Sequence, residues 1–308
     1  MDNYISIIIC TYNRAGLVKL TLESLSRQTF PSERFEIILV DDCSTDDTFS
    51  VYNKLKNELP NLRYISNPVN IGLPLSRNRG IEIAAGDHVL FTDDDCIPSE
   101  KWVEKMSFYL SQHPVIGGSI ESPLLNYLQL CFNISGFHAF MPAGEVRPVE
   151  MIVGANMGFR MSVLKELGGF RNDFPLAEDI DISCRGRLHG YKLFFVPHAS
   201  VLHNHNRMTV PLMLKSAFRT GTSSILLRNK YYKLMNTPFI LRSPLLLLLT
   251  SPLIALKATI SIYLKNSYLR NFFKTFPVVY MLKMAWVMGA FQSLRNQKLK
   301  EREKWKKI

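Results

Sequence analysis

Three consecutive aspartates, Asp93, Asp94 and Asp95, end the apolar run 89–92. Buried carboxylates without a partner are costly, so a strand that ends in three of them needs positive charge nearby. A divalent cation can supply that charge, and Asp oxygens are ligands that suit Mg²⁺ or Mn²⁺. The alternative is a solvated turn after a strand, since Asp is also a common turn residue.

Two further acidic groups could do chemistry. Asp41 and Asp42 follow the apolar run 35–40, where helix capping or turn formation is the alternative role. The segment 178–181 reads Glu-Asp-Ile-Asp, and it could equally be the start of a helix whose acids complement the helix dipole.

The elements that hold these acids alternate regularly through the first part of the chain. A continuous β-branched run at residues 5–10 is typical of a parallel strand buried on both faces, and residues 35–40 form a second predicted buried strand. Further strands are predicted at residues 62–66 and 87–92. Helical spacing is found at residues 17–26, 48–59, 75–85 and 99–112, the last with Ser99 as its predicted N-cap. This alternation predicts an α/β fold with a mixed, mainly parallel sheet flanked by helices. The acids lie at the carboxyl ends of strands, where open α/β sheets bind ligands.

A series of short motifs runs in order through residues 5–205. They are Thr11-Tyr12-Asn13-Arg14, Asp41-Asp42-Cys43-Ser44, Asn70-Ile71-Gly72, Arg77-Asn78-Arg79-Gly80, Asp93-Asp94-Asp95, Gly154-Ala155-Asn156, Gly168-Gly169-Phe170, Glu178-Asp179-Ile180-Asp181 and Val196-Pro197 with His203. Each motif alone is weak, but the ordered series resembles the inverting glycosyltransferases of family 2. The resemblance implies the GT-A (Rossmann-like) fold and transfer of a sugar from a nucleotide-sugar donor.

The resemblance implies a metal site in which Asp93 and Asp95 form an Asp-x-Asp motif. Asp95 is then the direct ligand, and His203 completes the metal or diphosphate site. A diphosphate leaving group needs a cation to absorb its developing charge, which fits Mn²⁺ or Mg²⁺. If the segment is extended, alternation points Asp93 and Asp95 the same way. A structural role is the alternative for His203, since His198 and His205 lie close by in sequence.

The donor pocket implied by the resemblance is built from several motifs. Its predicted members are Thr11, Tyr12, Arg14, Asp41, Asp42, Arg77, Asp93 and Asp94. In the family, the acids matching Asp41 and Asp42 contact the base and the ribose. A carboxylate there can accept the ring N–H of uracil, which favours a UDP-sugar. Cys43 stands where the family commonly has Gly or another small residue.

The general base implied by the resemblance is Asp179. Inversion needs a carboxylate to take the proton of the acceptor hydroxyl while that oxygen attacks from the opposite face. The adjacent Glu178 can raise the pKa of Asp179 by like-charge repulsion. Asp181 and Glu178 are alternative bases, and we place Asn156 and Glu178 on the acceptor side.

The last third of the chain differs in charge and hydropathy. Residues 204–308 hold 19 Lys and Arg but two acids, and they contain the apolar stretches 243–264 and 276–291. We expect a catalytic domain at residues 1–210 and a basic, apolar helical extension at 211–308. Both apolar stretches are interrupted by charge, so a helical hairpin in the interface of an anionic membrane fits better than a spanning segment. A core-packing extension or an interface in a homo-oligomer is the alternative.

Composition also bears on location and partners. The five cysteines are scattered, and no secretory signal precedes the first strand, so we expect the cytoplasmic face of the cell membrane. Nucleic acid is not an expected partner, because the acidic residues 1–203 would repel phosphate. The expected acceptor is a hydroxyl of a cell-envelope glycan or a lipid-linked sugar.

Two other functions remain open from the sequence. A nucleotidyltransferase would use similar acids on a similar sheet, but it usually has an early Gly-rich phosphate loop that this chain lacks. A non-catalytic, membrane-associated scaffold would be expected to have lost its acids, and all of them are present.

Overall fold

The computed structural model describes residues 4–174 and 176–306, with side chains described up to residue 299. Its strands are β1 (Ile5–Thr11), β2 (Phe35–Asp41), β3 (Leu62–Ser66), β4 (His88–Thr92), β5 (Cys96–Pro98), β6 (Val115–Glu121), β7 (Arg147–Val149), β8 (Asn156–Arg160) and β9 (Leu193–His203). Its helices are α1 (Ala15–Leu25), α2 (Thr48–Leu55), α3 (Leu73–Ile83), α4 (Trp102–Gln112), α5 (Tyr127–Phe137), α6 (Met161–Leu167), α7 (Glu178–Leu188), α8 (Val210–Lys230), α9 (Pro244–Leu249), α10 (Ser251–Lys265), α11 (Ser267–Arg270) and α12 (Phe276–Lys306).

The strands form one mixed sheet. Its order is β3-β2-β1-β4-β8-β6-β9-β5, and β7 pairs with β9. The β3-β2-β1-β4 part is parallel, as predicted from its β-branched, buried runs. β8 lies between β4 and β6 and is antiparallel to both. β9 is parallel to β6 and antiparallel to β5 and β7. The sheet is therefore mixed, but it is less dominated by parallel pairs than the sequence suggested.

Close packing fixes α3 on β1. A Cβ added to Gly80 would lie 2.6 Å from Ile8 Cγ2, so the helix can approach the strand this closely only with glycine at this position. The approach buries Ser76 and Arg77 on the inner face of α3. This places an arginine beside the carboxyl ends of the strands.

The predicted helix at residues 99–112 begins later than expected. α4 starts at Trp102, and Lys101 occupies the N-cap position. The Ser99 backbone carbonyl accepts a hydrogen bond from the Trp102 N–H at 2.9 Å. The prediction of Ser99 as the N-cap is therefore wrong, because Ser99 lies in a turn that precedes the helix.

The chain divides into two compact units. The first contains residues up to Pro123 together with Phe140–His205, and it holds the whole sheet. The second contains Leu124–Ala139 and the residues after His205. The segment 124–139, predicted as part of the catalytic domain, instead groups with the C-terminal helices because α5 packs within that unit.

Within the second unit, α8 and α12 approach each other at reciprocal glycines. A Cβ on Gly221 would lie 2.0 Å from the Trp286 carbonyl oxygen, and one on Gly289 would lie 2.0 Å from the Phe218 carbonyl oxygen. Such contact between helix backbones is possible only for residues without a side chain. α12 also buries a row of apolar side chains: Val279, Leu282, Val287, Ala290 and Leu294.

Over residues 4–174 and 176–306, no helix combines the length and the apolar character needed to cross a membrane.

Candidate active site

The carboxyl ends of β1, β2 and β4 meet at one edge of the sheet. Thr11 pairs with Asp41 in the β1–β2 register, and Asp93 follows the last residue of β4. Because these strands are parallel neighbours, acids that are far apart in sequence come together at this edge. The prediction that the acidic clusters share an edge therefore agrees with the fold.

Asp93, Asp94 and Asp95 form a turn between β4 and β5. The Cys96 N–H donates to the Asp93 carbonyl oxygen at 3.1 Å, which closes the turn. The segment is therefore not extended, and our argument that alternation points Asp93 and Asp95 the same way is wrong. The three side chains instead contact different partners.

Asp95 lies beside His203 at the end of β9. The β5–β9 register pairs Cys96 with His203, and Asp95 Oδ1 is 3.4 Å from His203 Nε2. Ligand atoms of Asp95, Cys96 and His203 lie within 4.8 Å of one another. Burial raises the pKa of the Cys96 thiol well above its usual range, which disfavours the thiolate that a metal would need.

The residues present fit a hard divalent cation. Neighbouring ligands on Mg²⁺, each about 2.1 Å from the ion, lie about 3 Å apart, close to the Asp95–His203 separation. An oxygen and an imidazole nitrogen are also a donor set that Mn²⁺ accepts. Asp95 and His203 would hold such an ion. The Asp93 carboxylate, about one third exposed, is the most accessible of the three acids.

Asp94 points into the protein. Its carboxylate accepts hydrogen bonds from Thr11 Oγ1 at 2.7 Å and from Arg14 Nη1 at 2.8 Å, and it is 4% exposed. Burial raises the pKa of Asp94, and the charge of Arg14 opposes this rise. Arg14 Nη1 also donates to Asp95 Oδ2 at 3.2 Å. Thr11, Arg14 and Asp94 therefore brace the turn, and direct donor contact by Asp94 stays a prediction.

Asp41 and Asp42 are buried and organise the neighbouring loops. Asp42 accepts from the N–H groups of Ile71 and Gly72 at 2.9 and 2.8 Å, just before α3. Asp41 accepts from the Ser44 N–H at 2.8 Å and from the Tyr64 hydroxyl at 2.6 Å. Both acids thus form turns, and their contact with a base and ribose stays a prediction.

Cys43 has a backbone φ of +70°, in the left-handed region that favours glycine. Glycine adopts this conformation without strain, whereas a residue with a Cβ such as Cys43 does not. Tyr12, 47% exposed, is the most accessible of the predicted donor-pocket side chains on the first loop.

Asp179 lies at the start of α7. Its Oδ2 accepts a hydrogen bond from the Gly154 N–H at 2.9 Å, and its Oδ1 accepts one from the Ile180 N–H at 2.7 Å. Burial raises the pKa of Asp179, while the Gly154 N–H and the Arg77 charge oppose this rise. A carboxylate with a raised pKa, fixed by two N–H groups, is suited to accept a proton.

Arg77 connects the helix that carries Asp179 to the aspartate turn. Its Nη1 donates to Glu178 Oε1 at 2.6 Å, and its Nη2 donates to Asp93 Oδ1 at 3.0 Å and to the Gly154 carbonyl oxygen at 3.2 Å. Arg77 is 2% exposed, and Glu178 is also buried. Burial raises the pKa of Glu178, and Arg77 opposes this rise. Arg77 and Glu178 thus bridge α7 and the aspartate turn, and their contact with donor or acceptor stays a prediction.

Two other sequence-based expectations need correction. The Asn156 side chain has no exposed surface; it accepts from Trp102 Nε1 and donates to the carbonyl oxygens of Ser119 and Ala199, each at 2.9 Å. It holds strands together and does not face an acceptor. Asp181 is fully buried in an ion pair with Arg185 at 2.7 Å, which does not suit an alternative base.

The sequence did not single out Gly154 for its contact with Arg77. A Cβ at Gly154 would lie 2.8 Å from Arg77 Nη2, so the guanidinium occupies the space that a side chain would fill. The Gly-Ala-Asn motif marked this position, but only the fold shows which partner requires the glycine.

Comparison with known proteins decides the family. The profile of glycosyl transferase family 2 matches residues 6–168, more than half of the chain, and that of glycosyl transferase family group 2 matches residues 93–292. The chain belongs to glycosyltransferase family 2. This family 2 member is therefore a glycosyltransferase.

Among curated relatives, glycosyltransferase AglE of Haloferax volcanii is 26% identical over 224 residues, which cover 72% of this chain and 73% of AglE. The poly(ribitol-phosphate) beta-glucosyltransferase of Bacillus spizizenii is 43% identical over 106 residues. That match covers 34% of this family 2 chain and 17% of the Bacillus protein.

Solved structures support the GT-A fold. The mannosyltransferase PcManGT from Pyrobaculum calidifontis, solved with GDP-Man and Mn²⁺, has a TM-score of 0.68 at 19% identity and covers 96% of this chain and 88% of its own. TarS 1-349 of Staphylococcus aureus, solved with UDP-GlcNAc, has a TM-score of 0.54 at 18% identity and covers 94% and 91%. At these identities the likeness shows the fold alone.

Proposed function

We propose that this glycosyltransferase moves a sugar from a nucleotide-sugar donor to a hydroxyl of a cell-envelope glycan or a lipid-linked acceptor, with inversion and with Mn²⁺ or Mg²⁺. The observation that carries the proposal is the chain of contacts from Asp179 through Gly154 and Arg77 to Asp93, beside the Asp95–His203 pair. It joins a candidate base to a candidate cation site within one unit of the protein.

The residues account for the two halves of an inverting displacement. Asp179 takes the proton from the acceptor hydroxyl as that oxygen forms a bond to the anomeric carbon. The bond from the anomeric carbon to the diphosphate breaks on the opposite face, and the nucleoside diphosphate leaves. A divalent cation held by Asp95 and His203 would supply charge neutralisation for the diphosphate.

The donor we propose is a UDP-sugar. TarS was solved with UDP-GlcNAc, whereas PcManGT was solved with GDP-Man, so both nucleotide classes occur on this fold. The predicted contact of a carboxylate with the uracil N–H supports UDP. The relatives named for poly(ribitol-phosphate) support a cell-envelope acceptor.

We also propose that the reaction takes place at the cytoplasmic face of the cell membrane. The five cysteines are free, as in a reducing compartment. The excess of basic residues after residue 203 supports a location beside an anionic surface.

Turnover tests the proposal directly. The full chain is incubated with UDP-sugars and GDP-sugars, Mn²⁺ and a membrane extract as the acceptor source, and nucleoside diphosphate release is measured. Asp179→Asn should lower the rate by about 10²- to 10⁴-fold, because proton transfer to the base is lost. Nucleotide binding should remain, since Asp179 is not a predicted donor ligand.

Asp47→Asn is the matched control, because Asp47 is exposed and makes no side-chain capping bond at the start of α2. Its rate should equal that of the wild type. Unchanged turnover in Asp179→Asn would refute the assignment of the base. In a parallel incubation with nucleoside triphosphates and sugar phosphates, release of pyrophosphate would instead identify a nucleotidyltransferase, and no turnover by folded protein would favour the scaffold.

A further inference from the structure

Helix α10 buries small and polar residues and exposes large aliphatic ones, which is the reverse of the pattern expected on the surface of a soluble protein. Its buried face carries small or polar residues, Ser251, Ala255 and Thr259, followed by Ile262 and Tyr263 near its end. Its outward face carries the larger aliphatic residues. A helix that buries only its core-facing side normally directs its leucines inward.

The outward residues form one continuous row. Leu253, Leu256, Ile260 and Leu264 are 68%, 38%, 40% and 65% exposed, and their spacing of three and four places them on one side of the helix. We call these four residues the apolar face. They line an open groove of about 560 Å³. Exposed apolar patches of this kind mark interaction sites more often than ordinary surface.

The preceding helix also exposes leucines. Leu245 and Leu249 of α9 are 64% and 69% exposed, and of the leucines in this helix only Leu247 is buried.

The charged side chains that line the groove are both positive. Lys257 and Lys265 line the same groove, and both are exposed. Nearby in sequence, Arg270 and Lys274 are also exposed, and the sequence has no Asp or Glu between residues 182 and 300. A partner that covers this surface must be apolar in its centre and negative at its edge.

The second apolar stretch predicted for the membrane, residues 276–291, does not present such a face. Val279, Leu282 and Val287 on α12 are buried within the helical unit. Both stretches are similarly apolar in sequence, but the structure distinguishes them. Residues 276–291 pack in the core of the helical unit, whereas the stretch that contains α10 exposes an apolar face.

We infer that the apolar face of α10 binds the interface of an anionic lipid bilayer, with the helix lying along the surface. Its leucines would enter the acyl boundary, and Lys257 and Lys265 would meet the lipid phosphates. A second copy of the chain is a poorer occupant, because a symmetric contact through the same surface would bring lysines against lysines without a carboxylate to pair them. The purpose of this binding rests on the proposed membrane-associated acceptor, although the binding itself does not depend on it.

The experiment is vesicle flotation of the full chain after detergent removal, without donor or acceptor. Vesicles of phosphatidylcholine alone are compared with vesicles that contain phosphatidylglycerol as well. Wild type should bind the anionic vesicles, and the double substitution Leu253→Gln/Leu264→Gln should lower the partition coefficient at least tenfold. Lys257→Gln/Lys265→Gln should weaken binding to anionic vesicles and leave the weaker binding to neutral vesicles unchanged.

Leu188→Gln/Leu212→Gln is the matched control, since these leucines are 62% and 51% exposed but lie outside the apolar face. The control should bind vesicles as the wild type does. Circular dichroism and UDP titration of each variant separate loss of lipid binding from misfolding or loss of the donor site. Failure of UDP binding with intact lipid binding would overturn the proposed UDP-sugar donor and not this inference.

Two results would overturn the inference. One is equal vesicle binding by the wild type and by the Leu253→Gln/Leu264→Gln variant. The other is an oligomeric wild type and a monomeric Leu253→Gln/Leu264→Gln variant in sedimentation velocity, with unchanged vesicle binding. That result would assign the apolar face to a second copy of the chain.

Discussion

Arg77 is a fully buried cation whose charge is balanced by acids from two different elements. It pairs with Glu178 on α7 and with Asp93 after β4. Desolvation of a guanidinium is costly, and such a group is retained in a core only when its donors are satisfied. Gly154 makes room for the guanidinium, and Gly80 lets the helix that carries Arg77 approach Ile8 of β1. We therefore regard Arg77 as a positioning residue that aligns α7 with the aspartate turn.

Arg77→Lys tests this role. Lysine keeps the charge but cannot bridge two carboxylates as the planar guanidinium does, so the pKa values of Glu178 and Asp179 should rise further. The base must be deprotonated to work, so the acidic limb of kcat/KM should move to higher pH and kcat should fall at least tenfold. Arg79→Lys on the same helix is the control, because Arg79 contacts Asn67 and Ser66 instead. An unchanged pH profile in Arg77→Lys would remove Arg77 from this role.

At the residue scale, sequence reasoning found the acids but not their partners. Asp93, Asp95 and Asp179 were recognisable from residue type and motif order. The orientation of Asp93 and Asp95 was not, because a turn closed by one backbone hydrogen bond replaces the extended segment. The role of Asn156 is not predictable from residue type, because an asparagine that joins α4, β6 and β9 looks the same in the sequence as one that faces a ligand.

Among the elements, β2 carries a buried acid with a structural function. Glu36 accepts hydrogen bonds from Ser6 Oγ and from the Ala85 N–H, both at 2.7 Å, and it pairs with Arg63. Burial alone would raise the pKa of Glu36, but these hydrogen bonds outweigh it and hold the pKa below its usual range. Glu36 thereby links β1, β2, β3 and the end of α3.

The lowered pKa of Glu36 predicts that the stability of the folded protein decreases in acid. A lowered pKa in the folded state stabilises the protein above the unfolded-state pKa of about 4.3, and this contribution is lost as the pH falls through the lower folded value. Glu36→Gln should therefore be less stable than the wild type at pH 7, by about 1–3 kcal/mol. The difference should close below about pH 4. Urea unfolding across pH 3–7 measures it, with the exposed Glu82→Gln as control; a difference independent of pH would contradict the argument.

The α8–α12 pair makes a second prediction at the scale of elements. Gly221→Ala places a methyl group where the Trp286 carbonyl oxygen lies, so the helices must separate. The free energy of unfolding should fall by about 1–3 kcal/mol. Gly136→Ala on α5 is the control, because nothing lies within 4 Å of its added Cβ. The control should be neutral or stabilise by about 0.5–1 kcal/mol. Equal melting temperatures of the two variants would show that close packing at Gly221 is unimportant.

For the whole molecule, predictability follows the length and apolar character of each strand. A mainly parallel part of the sheet is predictable because β1, β2 and β4 are buried along nearly all of their length and alternate with helices. β5, β7 and β8 are not predictable from the sequence, since they are three to five residues long and give only a short pattern. The same limit applies to the tail, where hydropathy found both apolar stretches but only packing distinguishes the buried α12 from the exposed α10.

Calorimetric titration of UDP and GDP into detergent-purified full chain, with Mn²⁺ and then with EDTA, tests the central claim of a cation-dependent donor site most directly. We expect one nucleotide to bind with Mn²⁺. We expect the affinity to fall at least tenfold with EDTA and in Asp95→Asn, while Asp47→Asn binds as the wild type does. Nucleotide binding that is equal with Mn²⁺, with EDTA and in Asp95→Asn would contradict the metal site, and no nucleotide binding by folded protein would contradict the donor site itself.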